Sequence, residues 1–397
     1  MNIETTNITS VDPSCDSYSA QKWDDMNLPT DLLRGIYSYG FERPSPIQCK
    51  AIPVIMSGKD VVAQSQSGTG KTAAFTIGAL AQIELGLMSP QVLIISPTRE
   101  LSLQIRGVVD SIGGMMSGLR TQLLVGGEGV DKDMRLLAEK PPHVVIGCTG
   151  RIYDMIRRNA LKVESLKITI VDEADEMLDG GFIDQLSSIF REFPAETQIA
   201  LFSATIPQST LPILDDMMKN PEHLILKREV LTLEGISQYY VAVEDDAQKY
   251  AVLKDLYSSL TLSHCIIYCN SIGRVDELTA AMINDGFPAC CIHGNMTKES
   301  RERAISDFRN GKNRVLISSN VTARGIDIQQ VSVVINFDVC KSVHTYLHRI
   351  GRSGRWGRKG VGINFVTRRD IGKLRMIEHH YETQIEELPS NFMESLS

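Results

Sequence analysis

An α/β fold of two tandem domains, each a mostly parallel sheet covered by helices on both faces, follows from three observations. From Trp23 onward, short apolar or β-branched runs alternate with amphipathic stretches, the pattern of parallel strands returned by crossover helices. The 397 residues are enough for two cores of ordinary size. Every recognisable polar motif sits where one of the predicted strands ends, which is where open parallel sheets carry their ligands.

Residues 1–20, rich in Ser, Thr, Asn and Asp, predict a disordered tail. A first domain over residues 21–228 contains predicted strands at Asp60–Gln64, Gln91–Ser96, Thr121–Val125, His143–Gly147, Ile168–Asp172 and Gln198–Ser203. The stretch around Lys227 to Gly235 fits neither period, and a linker is placed at residues 229–236. In the second domain, residues 237–397, strands are predicted at Cys265–Cys269, Ala289–His293, Arg314–Ser318, Val331–Asp338 and Gly360–Thr367.

Composition excludes several classes. No run approaches the roughly 18 apolar residues of a membrane span, and the N-terminus lacks the pattern of a signal peptide, so no membrane partner and a cytoplasmic location are expected, with nuclear work open. Net charge is −7, yet residues 231–397 carry 20 Lys and Arg against 19 Asp and Glu. Binding to a phosphate backbone would therefore rest on local clusters and N–H groups. The spacing Cys265-x-x-x-Cys269 is a zinc cue, but residues four apart on a strand share a face, so packed, reduced thiols are expected.

The chemistry concentrates in two segments. Ser67-Gly68-Thr69-Gly70-Lys71-Thr72 follows an apolar run and opens a helical stretch. Glycines there turn backbone N–H groups toward a phosphate at a helix N-terminus, Lys71 brings an ammonium to the β and γ phosphates, and the Thr72 hydroxyl suits a hard cation. The run Ile168–Val171 ends in adjacent carboxylates. Asp172 would hold a magnesium shell, mostly through water, and Glu173 would orient or deprotonate an attacking water. Together they predict a nucleoside triphosphatase using Mg2+. The second half has neither segment, so the nucleotide is expected between the domains. His348-Arg349-Ile350-Gly351-Arg352-Ser353-Gly354-Arg355 could then bring Arg352 and Arg355 to the γ-phosphate. A solvated basic loop or a contact to nucleic-acid phosphates remains an open reading of that stretch.

These residues resemble the DEAD-box RNA helicases, with Asp172-Glu173-Ala174-Asp175 as the acidic signature and motifs in family order from about Trp23 to Pro389. The resemblance implies two RecA-like domains, ATP as the nucleotide, and a chain that acts as a monomer on single-stranded or weakly duplexed RNA. It also implies a protein regulator that promotes domain closure. Within the family, the branch acting in translation initiation is most similar. Phe41 and Gln48 resemble the adenine-reading segment, and Asp327 is expected near the ribose. Ser203 and Thr205, with Asp175 and His348, resemble the groups that couple hydrolysis to closure. Thr98, Arg99, Gly127 and Arg151 resemble RNA-contacting positions of the first domain, and Gly294, Arg301 and Ser319 those of the second.

Four departures from the family pattern stand out. Cys148-Thr149 occupies the place of Thr-Pro, Asn320 that of Asp, Ser65 that of Ala or Gly, and Lys298 that of Gln. The first would weaken the local grip on RNA. The second implies that any ion pair made by the lost carboxylate is absent or replaced by an amide hydrogen bond. Altered coupling at these positions leaves an alternative to unwinding open: an ATP-locked RNA clamp that serves as a platform for partner proteins.

Overall fold

A computed structural model describes residues 22–65, 68–178, 182–206, 214, 217–225, 236–259, 264–320, 331–353 and 360–389. The expected tail and all but the last residue of the expected linker lie outside them. The chain divides into two compact units, residues 1–231 and 232–397.

The first unit is built on β1 (Val61–Gln64), β2 (Val92–Ile95), β3 (Thr121–Leu124), β4 (Val144–Gly147), β5 (Ile168–Asp172), β6 (Gln198–Ser203) and β7 (Glu222–Ile225), in the order β3-β4-β2-β5-β6-β1-β7. All its ladders are parallel, with Val61 opposite Ala200 and Val92 opposite Ile168. Side chains alternate across the sheet. Val61, Ala63, Ile94, Ile146, Ile170 and Phe202 join a core with Ile52, Phe75 and Ile105 from three helices. Val62, Leu93, Val145, Val171 and Leu201 pack on the other face against Ile152, Met155, Leu186 and Ile189 from two more. Strands sealed on both faces must be apolar throughout, which is why β2 and β4 read as unbroken apolar runs.

The second unit repeats the plan with β8 (Ile236–Ala242), β9 (Cys265–Tyr268), β10 (Ala289–Ile292), β11 (Val315–Ser318), β12 (Val333–Asn336), β13 (Gly360–Val366) and β14 (Glu386–Glu387). Their order is β10-β11-β9-β12-β13-β8-β14, again parallel throughout. Counted from its own first strand, each sheet runs third, fourth, second, fifth, sixth, first, seventh. Three strands escaped the sequence reading, for physical reasons. β7 opens with Glu222-His223, β8 carries Ser237 and Gln238 and is only partly buried, and β14 is two exposed glutamates. Cys265 and Cys269 are fully buried and unbridged, and burial pushes the Cys269 thiol up to about 12.

Candidate active site

The centre of the first sheet gathers the triphosphate motifs at the carboxyl ends of β1, β5 and β6. Gly70 caps the helix Lys71–Leu80 with φ +98°, and a Cβ there would stand 2.6 Å from Gln48 Nε2, so both conformation and space call for glycine. Lys71, buried, donates to the Ser65 carbonyl at 2.6 Å. The Ser65 and Thr69 hydroxyls lie 2.6 Å apart and tie the two ends of the loop together, a contact that alanine at position 65 would forgo. Thr72 follows in the first helical turn, half-buried. Ser67 lies outside the described residues.

Asp172 ends β5, buried, and its Oδ1 accepts the Glu173 N–H at 3.0 Å. Burial, then the Glu173 charge, push its carboxyl up to about 7, against the pull of the Lys71 ammonium. Glu173 takes φ +52°, the left-handed region that a long side chain rarely adopts, at the step from strand to the helix Ala174–Leu178. A held strain at the end of a strand is the kind found at working sites.

Asp175 is joined to the next strand. Thr205 Oγ1 donates to Asp175 Oδ2 at 2.8 Å, while Ser203 Oγ accepts the Asp175 and Thr205 N–H groups at 3.3 and 3.2 Å. The Ser65 N–H in turn donates to the Ser203 carbonyl at 3.0 Å. Phosphate loop, acidic strand end and Ser203-Ala204-Thr205 therefore form one continuous hydrogen-bonded unit.

Gln48 takes part in the same framework. Its Oε1 accepts the Ser45 N–H at 2.7 Å and its Nε2 donates to the Gly70 carbonyl at 3.3 Å, so both ends of the amide are engaged. Phe41 is half-buried against Tyr39, with ring centroids 4.8 Å apart, and its carbonyl accepts Trp23 Nε1 at 3.1 Å.

The other half of this sheet edge holds the loops after β2, β3 and β4. Thr98 caps the helix Arg99–Ile112, accepting the Leu101 N–H at 3.3 Å. Arg99 donates to the Gly126 carbonyl at 2.7 Å and pairs with Glu128 at 3.4 Å, beside Gly127 at φ +83°. Arg151 binds the buried Asp133 and, at 2.7 Å, the Glu128 carbonyl. Burial holds the Asp133 carboxyl above its usual range, with Arg151 pulling the other way. Thr98, Arg99, Gly127 and Arg151 thus lie together, with both guanidinium groups engaged by acidic or carbonyl oxygens of their own domain. Cys148 stands at the N-cap of the helix Thr149–Arg157 and makes no side-chain cap bond.

In the second unit, Gly294 is exposed just after β10, and Ser319, just after β11, donates its N–H to the Ile292 carbonyl at 3.3 Å. Arg301 donates to the Met296 carbonyl at 3.4 Å in the first turn of the helix Lys298–Arg309. His348 lies in the helix Val343–Ile350, and Arg352, just beyond it, donates to the His348 carbonyl at 3.3 Å. Asp327 and Arg355 lie outside the described residues.

The residue that sequence reasoning passed over is Arg349, fully buried. Its guanidinium donates to Asn320 Oδ1 at 2.6 and 3.0 Å, Asn270 Oδ1 at 2.8 Å, Asn336 Oδ1 at 3.1 Å and the Asp338 carbonyl at 2.9 Å, and it lies 5.0 Å from the Tyr268 ring centroid. Asn320 meets the guanidinium through an amide oxygen, the replacement that the departure at this position implies. Nothing in the sequence pointed to Asn270 and Asn336, which reach Arg349 only through the fold.

Two parallel sheets, one with a phosphate loop fused to an acidic strand end, define a nucleoside triphosphatase of RecA-like build. The model of the DEAD/DEAH box helicase matches residues 45–212, and that of the helicase conserved C-terminal domain matches residues 248–357. The chain is 48% identical over 373 residues to the ATP-dependent RNA helicase eIF4A of Neurospora crassa, covering 94% of each chain. It is also 48% identical over 376 residues to the ATP-dependent RNA helicase fal1 of Schizosaccharomyces pombe, covering 95% of each. Among solved structures, S. cerevisiae Dbp5 bound to RNA and ADP BeF3 matches with a TM-score of 0.87 and 34% identity, over 95% of this chain and 98% of that one. A single-substitution variant of Dbp5, bound to a gle1 variant and IP6, matches at 0.75, again at 34% identity, over 95% and 97%. The chain belongs to the DEAD-box family of ATP-dependent RNA helicases.

Proposed function

We propose that this helicase binds single-stranded or weakly duplexed RNA, hydrolyses ATP to ADP and phosphate, and locally opens short duplexes or remodels RNA–protein complexes in translation initiation. The observation that carries the reading is the hydrogen-bonded path from Lys71 through Ser65 and Ser203 to Thr205 and Asp175. It makes the phosphate loop and the acidic strand end one element, so a change at the γ-phosphate is felt at the next strand. Glu173 orients and deprotonates the water, and Arg352 and Arg355 stabilise charge on the leaving phosphate.

A buried carboxylate beside a second acid suits a divalent cation, and Asp172 with Thr72 would hold Mg2+ mostly through water. When bound, the ion supplies charge to the phosphates. Phe41, Gln48 and Asp327 take the nucleoside. Thr98, Arg99, Gly127, Arg151, Gly294, Arg301 and Ser319 hold the RNA backbone without reading bases, which predicts a weak sequence preference. A protein that promotes closure is the regulator proposed; that relatives of this fold bind protein partners is supported by the Dbp5 variant solved with a gle1 variant. The chain acts as a monomer in the cytoplasm.

The test is steady-state ATP turnover with and without single-stranded RNA, for wild type and Glu173→Gln. RNA-stimulated turnover that falls at least about 100-fold in the variant, at unchanged melting temperature, is the expected result. Wild-type turnover indifferent to RNA, with RNA held tightly in ATP, would replace unwinding by the clamp.

A further inference from the structure

Cys291, in the edge strand β10, and His293, just past its end, stand two residues apart and face the same side of the sheet. The helix Ile272–Asn284 covers that face: its Val275, Leu278 and Met282 belong to the cluster against which Cys291 packs. Asp276 of this helix places Oδ1 3.0 Å from His293 Nε2. Cys291 itself is half-buried and unbridged. One ligand atom from each of Asp276, Cys291 and His293 lies within 4.8 Å of the other two. The His293 side chain is only 9% exposed, and its Nδ1 has no hydrogen-bond partner among the described residues. Buried imidazoles ordinarily satisfy both nitrogens.

We propose that Asp276, Cys291 and His293 form a site for a divalent transition-metal ion of the zinc class, independent of the ATP site. One sulfur, one imidazole nitrogen and one carboxylate oxygen are a borderline-soft set, which suits zinc and excludes magnesium and calcium. Bonds of about 2.0–2.3 Å would set tetrahedral ligand atoms roughly 3.3–3.8 Å apart. The trio therefore closes on an ion by at most about 1.5 Å of side-chain movement. Asp276, 55% exposed, gives solvent access, and water takes the fourth position. Binding releases the Cys291 proton and bonds the edge strand to its covering helix.

The experiment is titration of the metal-free, untagged full chain with Co2+, followed by its near-ultraviolet thiolate-to-metal absorption, and displacement by Zn2+. One equivalent is expected, lost in Cys291→Ala and weakened at least tenfold in Asp276→Ala. It should survive in Cys290→Ala, whose thiol lies by the carbonyls of Ala304 and Val315. Unchanged RNA-stimulated ATP turnover in Cys291→Ala would show that this variant is folded. No thiolate absorption in wild type, or absorption that persists in Cys291→Ala, would overturn the proposal.

Discussion

The two sheets share one strand order, and their fifth strands end at equivalent places in opposite ways. β5 ends in Asp172, buried with a second acid beside it and its carboxyl displaced toward neutrality. β12 ends in Asn336, whose amide accepts from Arg349 and donates to Asn364 at 2.8 Å. From there a neutral path continues through the Tyr346 hydroxyl to Gln238 and on to Thr383. The loops after the third and fourth strands also correspond, with Gly127 and Arg151 in one unit and Gly294 and Ser319 in the other. What the comparison teaches is that topology sets where a polar end falls, while the kind of polar group sets what that end does. A crowded acid end carries charge that its own domain leaves only partly compensated, whereas an amide network is complete in itself and stiffens the domain.

Removing the centre of the amide network should have the largest effect. Arg349→Met strands the Asn270, Asn320 and Asn336 oxygens, and a loss of about 3–5 kcal/mol is expected in denaturant melts, with the second domain unfolding first. Stability unchanged within 1 kcal/mol or so would mean that the network contributes little.

The acid end should respond in the opposite direction. The Asp172 carboxyl is raised in the fold, so its contribution to stability is full below pH 4 or so and is lost as pH rises through about 7. In metal-free buffer, Asp172→Asn should therefore be more stable than wild type at pH 8, by up to about 4 kcal/mol, and equal to it near pH 4. A gap that does not shrink on acidification would contradict the burial argument.

Two smaller changes sharpen the contrast. Asn320→Asp sets a carboxylate on the Arg349 guanidinium and should add about 1–2 kcal/mol to the second domain, read as a raised midpoint in that domain alone. Cys148→Thr gives the helix Thr149–Arg157 a capping hydroxyl and should stabilise the first domain by about 1 kcal/mol, with its effect on RNA affinity read in parallel.

Much of this was legible along the chain. Strands sealed on both faces, such as Val92–Ile95 and Val315–Ser318, announce themselves as apolar runs, and the predicted ends fall within two residues of those observed. Edge and partly exposed strands do not. β8 mixes Ser237 and Gln238 with half-buried tyrosines, and β14 pairs through backbone alone. The phosphate loop and acid pair were legible because close backbone approach and adjacent charge need particular residue types in particular spacing.

Partners far apart in sequence were not. Gln48 was read as a group for adenine, and the fold engages both ends of its amide with Ser45 and Gly70. Arg99 and Arg151 were read as phosphate contacts, and the fold sets Glu128 and Asp133 against them.

By itself, then, the sequence determined the class of fold, the strand ends that carry chemistry and the triphosphate motifs, because periodicity and tight turns are local properties. Only the tertiary structure decided which charges are neutralised and by what. The oxygens around Arg349 come from positions 270, 320, 336 and 338, and His293 meets Asp276 across a strand and a helix. Burial and hydrogen-bond partnership depend on segments brought together by packing, and those neighbours are not written in any local stretch of the chain.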